Sequence, residues 1–252
     1  MSELSARGLA GLPEIRRGED LAQLILSALE QPPHCGQILA IAHTAVSKAE
    51  GAVVALGDII PSPRALAIAA EQGRDPRAIQ VVLDQSAEIL REARGVLICR
   101  THHGFVCANA GVDASNAGDA GEVLILLPRD PDASARRIRA RLGKLIGATP
   151  PAVLITDSFG RAWRHGQVDV AIGAAGMAPL DDWRGRTDAD GLELRATWLA
   201  VADAVAATAD LARAKDSGEP VVLLDGLERF CTVEDGPGAP ALLRALDEDL
   251  FR

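Results

Sequence analysis

The chain has 252 residues, 48% of them hydrophobic and 24% charged, with a net charge of −9. That is enough apolar material for a sizeable core without disulfide staples. The acidic balance argues against a sequence-independent nucleic-acid binder, which needs a basic face, and the absence of tyrosine leaves little to stack single-stranded bases on.

Met1 to Gly11 shows no basic-then-apolar leader pattern. The apolar runs are too short to span a bilayer, so the expectation is a cytoplasmic protein. Cys35, Cys99, Cys107 and Cys231 are scattered and fit reduced thiols.

Glu19 to Leu29 predicts a helix, with apolar Leu21, Ile25 and Leu29 behind leading acids. Ile38 to Ala42 predicts a strand that runs into a small, polar, Ser/Thr-rich turn, His43 to Gly51. Lys48 in that turn could meet a phosphate or simply be solvated. Ser62-Pro63 starts a helix that Gly73 stops. Asp75-Pro76 starts another, with helical spacing kept through Ile79, Val82, Leu83, Ser86 and Leu90. Val96 to Arg100 and Phe105 to Ala108 predict a hairpin around His102-His103-Gly104. The loop Asn109 to Gly121 and a strand at Val123 to Leu127 follow. Asp132 is the expected cap of a basic helix through Lys144. Strands are predicted at Val153 to Ile155, with a turn at Gly160, and at Val168 to Ile172. Leu194 to Arg213 predicts an Ala-rich helix, Val221 to Leu224 a strand, and Leu242 to Leu250 a last short helix. Helices alternating with partly hairpin-connected strands predict a mixed α/β (α+β) fold rather than a purely parallel sheet.

Among motifs of known mechanism, the P-loop, the Gly-x-Gly-x-x-Gly fingerprint, His-Glu-x-x-His and Gly-x-Ser-x-Gly are all missing. Cys99-x₂-His102-His103-x₃-Cys107 has zinc-type residues, but no second pair closes the site, and hairpin packing accounts for them. Thr156-Asp157-Ser158 is different. It places a carboxylate between two hydroxyls at a strand end, with Arg161 and Arg164 close behind. Hard oxygen ligands suit Mg²⁺ or Mn²⁺, and guanidinium groups suit phosphate. A strand, a capped turn and a surface ion pair would explain the same residues. The loop carrying Asn109, Asp113, Ser115 and Asn116 adds oxygen-bearing side chains among small neighbours. Asp113 and Asp157 together would hold metal against a transferred phosphoryl group.

Three blocks carry a family resemblance: Val46 to Gly51, Asn109 to Asn116, and Thr156 to Gly173. With Leu12-Pro13-Glu14-Ile15, Pro131 to Ser134 and Gly185 to Asp188, they resemble the coenzyme F(420):L-glutamate ligase family over about Gly11 to Gly226. The resemblance implies a GTP-dependent ligase that adds L-glutamate to the terminal carboxylate of a 5-deazaflavin precursor and extends a γ-linked tail. It implies an acyl phosphate intermediate and release of GDP and phosphate. Asp113 and Asp157 are implied as catalytic metal ligands, with Ser158 helping to hold a second divalent ion. The choice between Mg²⁺ and Mn²⁺, and whether a monovalent ion such as K⁺ assists, stays open. Leu12 to Ile15, His43, Thr44, Lys48 and Asn116 are implied for the GTP site. The loop Ala212, Arg213, Ala214, Lys215, Asp216, Ser217, Gly218 and Glu219 is implied to close over the nucleotide. Two residues depart from the pattern: His43 stands where a small hydroxyl is expected, and Ala214 where an acidic metal ligand is expected, with Asp216 as a substitute. The family further implies a two-lobed unit with mixed or antiparallel sheets in an intertwined homodimer, here one ligase unit without the reductase domain fused in some relatives. A metal-dependent phosphohydrolase and a catalytically silent GTP-binding module are the alternatives.

Overall fold

The computed structural model describes residues 3–114, 122–214 and 216–249. Its elements are, in chain order, β1 (Ser5–Gly8), α1 (Leu21–Ser27), β2 (Ile38–Ala42), α2 (His43–Glu50), β3 (Val53–Ala55), α3 (Pro63–Gln72), α4 (Pro76–Asp84), β4 (Ser86–Ala93), β5 (Val96–Thr101), β6 (Val106–Ala108), β7 (Val123–Ile125), α5 (Pro131–Ile146), β8 (Ala152–Arg161), β9 (Arg164–Ala175), β10 (Asp181–Asp182), β11 (Trp198–Leu199), α6 (Val201–Ala212) and β12 (Val221–Asp225). The fold is mixed α/β, as the alternating pattern predicts.

The principal sheet has the order β1-β12-β2-β8-β9. Only β2 and β8 run parallel, their ladder closing where Ala42, the end of β2, meets Thr156 midway along β8; the other pairs are antiparallel. Successive strand residues point to opposite faces, and the sequence obeys this on both sides. Leu39, Ile41, Val153 and Ile155 face a layer of α1, α2 and α5. Ile38, Ala40, Ala152 and Leu154 face α6. Small residues on that second face (Ala40, Ala171, Ala174) meet Ala202, Ala206 and Ala209 of α6, so helix and sheet approach closely. Gly173 of β9 has the same function against α5: a Cβ there would lie 2.5 Å from the Pro131 carbonyl carbon. A third apolar cluster joins α3 and α4 to the three-stranded sheet β4-β5-β6. β3 and β7 pair beside it.

Several expectations are corrected. His43 to Glu50 is a helix, ended by Gly51 in the left-handed region. Helix α4 stops at Asp84, and Ser86 to Ala93 form a strand because Arg94 and Gly95, both at positive φ, turn it back onto β5. The cap of α5 is Asp130, whose side chain accepts from the Ala133 N–H. Asp132 points inward instead and accepts from the N–H groups of Ala174 and Ala239. β8 and β9 are longer than predicted and turn at Ala162-Trp163, not Gly160. Helix α6 begins at Val201, since Leu194 to Leu199 pair in extended form with Asp181 to Arg186 instead of coiling. Among the described residues the tail forms only short 3₁₀ turns, Ala239–Leu242 and Leu246–Glu248. Among the described residues no helix is long and apolar enough to cross a membrane.

Candidate active site

The parallel pair β2–β8 ends at a cavity of about 860 Å³. Ligands of α/β sheets gather outside the carboxyl ends of such strands. Several segments supply its wall. Leu12, Pro13, Glu14 and Ile15 come from the loop before α1. His43, Thr44 and Lys48 come from α2. Asp113 and Asp157 with Ser158 come from the loop after β6 and from β8. Arg213, Ala214, Asp216, Gly218 and Glu219 come from the loop after α6. Ala212 is the last residue of α6 and Ser217 sits in the loop, neither of them on the wall. Ser115, Asn116 and Lys215 lie outside the described residues.

Strand alternation sorts the β8 residues. Thr156 and Ser158 continue the α6 face, whereas Asp157 turns to the α2 face. There its Oδ1 accepts from the Ser158 N–H at 2.7 Å and lies 3.3 Å from Nε2 of buried His43. The Nδ1 of His43 finds no hydrogen-bond partner among the described residues. His43 is also the first residue of α2, which has no side-chain cap. Its first-turn N–H groups and positive dipole end therefore open onto the cavity, where an anion is stabilised. Lys48, one turn further, pairs with the exposed carboxylate of Glu14 at 2.6 Å. Asp113 is fixed by its backbone, exchanging two hydrogen bonds with Ile125.

The other face holds a group that sequence reasoning missed. Asp169 of β9 lies directly opposite Ser158. It accepts from Ser158 Oγ at 2.6 Å and Thr156 Oγ1 at 2.8 Å, and pairs with Arg213. Arg213 also donates to Thr156 Oγ1 and to the Pro220 carbonyl, at the far end of its own loop. The one available signal was an acid inside an otherwise apolar strand, Val168 to Ile172.

Cys107 lines the cavity too. Burial, with the Asp157 carboxylate adding to it, pushes its thiol up to about 12. Cys99 faces it across β5–β6. The zinc-type histidines turn elsewhere: His102 Nε2 lies 3.1 Å from the Asp84 carbonyl and His103 Nε2 3.0 Å from that of Pro128. Among the described residues no three His, Cys, Asp or Glu side chains converge as a metal cage. The donors that do line the cavity, Asp113, Asp157 and Ser158, are hard oxygens. They fit an ion such as Mg²⁺, which takes one or two carboxylates and completes its shell with waters and substrate phosphates.

The model of the F(420)-0:gamma-glutamyl ligase family matches residues 11–226. The chain is 43% identical to the coenzyme F(420):L-glutamate ligase of Methanothermobacter thermautotrophicus, over 99% of both chains. It is 44% identical to the protein of the same name from Methanopyrus kandleri, over 95% of this chain and 94% of that one. A third such relative, from Methanocaldococcus jannaschii, is 40% identical over 96% of this chain and 94% of its own. At this identity and coverage, the chain belongs to the F(420)-0:gamma-glutamyl ligase family of enzymes.

Proposed function

We propose that this protein is a coenzyme F(420):L-glutamate ligase. It uses GTP to join the amine of L-glutamate to the terminal carboxylate of the deazaflavin precursor, and then extends the tail through γ-linkages. The observation that carries this reading is the full-length similarity to ligases of that name. It is supported by a cavity in which two carboxylates, Asp113 and Asp157, stand beside the uncapped start of α2.

A carboxylate is a poor electrophile, so the acceptor must first be activated. Its oxygen attacks the γ-phosphorus of GTP and GDP leaves. The glutamate amine then attacks the acyl carbon, phosphate departs with the electron pair of the C–O bond, and the amine gives up a proton. Asp113, Asp157 and Ser158 would hold divalent Mg²⁺ or Mn²⁺, which neutralises charge on the transferring phosphoryl group. Lys48 and the first-turn N–H groups of α2 would bind the nucleotide phosphates. The loop from Arg213 to Glu219 would cover them. Because Ala214 offers no carboxylate, Asp216, on the same wall, would supply the ligand in its place. A cytoplasmic homodimer completes the reading.

The test is mass spectrometry of purified protein with deazaflavin precursor, GTP, L-glutamate and Mg²⁺ or Mn²⁺, each omitted in turn. A product heavier by glutamyl units only when all are present is the expected result. GTP hydrolysis with no mass shift would replace the ligase by a phosphohydrolase.

A further inference from the structure

Asn109 stands where β6 gives way to the loop that carries Asp113, and it lines the cavity. It opens three successive residues in the left-handed region: Asn109 at φ 50°, Ala110 at 54° and Gly111 at 69°. Residues with side chains seldom adopt that conformation, and asparagine is among those that tolerate it. Strain of this kind persists where the surroundings hold it, and it clusters at functional sites.

The amide oxygen is part of what holds it. Asn109 Oδ1 accepts from Arg74 Nη1 at 3.1 Å and from the Leu97 N–H at 3.4 Å. Arg74 is anchored in turn on the Gly95 carbonyl at 3.2 Å. A guanidinium and a backbone N–H only donate, so the oxygen edge is fixed by chemistry and the amide has one orientation. Arg74, Gly95 and Leu97 all lie off the cavity wall. The NH₂ edge, with two protons to donate, has no hydrogen-bond partner among the described residues and is not sealed from solvent.

The wall around that edge is acidic, with Glu14, Asp113, Asp157, Asp169, Asp216 and Glu219. Its cations Lys48 and Arg213 are paired with Glu14 and Asp169. Between Cys107 and Asp113, Asn109 alone carries an N–H donor on its side chain. A substrate carboxylate entering such a cavity needs donors to offset the acids, and a hydrogen bond to an ionised acceptor is a strong one.

We propose that Asn109 binds a carboxylate oxygen of the substrate through its NH₂, with Arg74 holding the amide in that orientation. The proposal rests on the ligase reading, under which the carboxylate belongs to L-glutamate or to the deazaflavin acceptor.

The experiment is steady-state kinetics of wild type, Asn109→Asp and Asn109→Gly, varying L-glutamate, precursor and GTP in turn, with thermal melts alongside. Asn109→Asp keeps an oxygen for Arg74 and Leu97 and tolerates the left-handed backbone, but replaces the donor by a second acceptor. A purely structural asparagine would be rescued by it. It should melt within about 4 °C of wild type. It should raise the KM of a carboxylate substrate at least about tenfold and leave that of GTP within about twofold. Asn109→Gly keeps the backbone and removes the amide, so it should raise the same KM by a smaller factor, with no charge to repel the carboxylate. A rise confined to L-glutamate assigns the contact to the amino acid, and one confined to the precursor assigns it to the acceptor. Unchanged KM values for both, or a GTP KM that rises as much, would overturn the inference and leave the ligase reading standing. Wild type that forms no glutamylated product would overturn that reading and the inference with it. If Asn109→Asp fails to fold, Asn109→Gly carries the test, and wild-type KM values for both carboxylate substrates in it would equally overturn the inference.

Discussion

His43 Nε2 lies 3.3 Å from Asp157 Oδ1, joining the first residue of α2 to the middle of β8. The imidazole is buried and its Nδ1 has no hydrogen-bond partner among the described residues, which is an arrangement that costs stability. Its gain is the orientation of a carboxylate that also accepts from the Ser158 N–H. His43→Ala should therefore lower kcat/KM about 10- to 100-fold, the usual effect of removing support behind a ligand. Asp157→Ala should cost at least on the order of 10²–10³-fold in kcat, because charge on the phosphoryl group then goes uncompensated. Steady-state kinetics of both variants under saturating metal would check the order. Near-normal turnover of Asp157→Ala would remove it from the mechanism.

Lys48 illustrates a residue whose value lies in binding. Its partner Glu14 is 69% exposed, and such ion pairs contribute little to stability. Lys48→Ala should shift Tm by less than about 4 °C. It should weaken GTP binding about tenfold or more, the loss of roughly 1.5 kcal/mol of charge-assisted hydrogen bonding. Calorimetric titration and thermal melts separate the two effects, and an unchanged Kd would remove Lys48 from the nucleotide site.

Gly173 makes the opposite kind of prediction. The added methyl of Gly173→Ala would stand 2.5 Å from the Pro131 carbonyl carbon and 2.6 Å from its oxygen. Overpacking against backbone costs about 1–3 kcal/mol, so Tm should fall about 2–12 °C. Gly57→Ala, where a Cβ meets nothing within 4 Å, is the control and should melt close to wild type.

Thiol labelling tests the cavity wall. Cys35 is exposed, whereas burial raises the thiols of Cys107, to about 12, and Cys231, to about 11. A raised thiol stays protonated at pH 8 and reacts slowly. Iodoacetamide at pH 8 should modify Cys35 first, with Cys107 labelled only on denaturation, as peptide mass spectrometry would show. Fast labelling of Cys107 in the native protein would contradict its burial.

Local punctuation made much of the fold legible. Ser62-Pro63 and Asp75-Pro76 fix the starts of α3 and α4 because a capping side chain and a preset φ act within one turn. The errors arose where tertiary partners decide. Ser86 and Leu90 keep helical spacing, yet pairing with β5 makes that stretch a strand. His43 to Glu50 is polar and small, yet it packs as a helix on the sheet through Ala45, Val46 and Ala49. The site residues gathered at the cavity were named through resemblance; spacing alone left Asp157 indistinguishable from turn chemistry. Asp169 was illegible for a different reason. Its meaning depends on a hydroxyl one strand away and a guanidinium 44 residues along the chain.

The alternation along the middle of β8 makes the site a matter of parity. Asp157 serves one side of the sheet, while Thr156 and Ser158 serve the other. Inserting or deleting a single residue between Ile155 and Ser158 would not merely displace these groups but exchange their sides. Asp157 would then face Arg213, and the hydroxyls would face His43. Insertions in pairs preserve that handedness, and odd ones invert it. Residues added at the Ala162-Trp163 tip, beyond Ser158, leave that parity untouched.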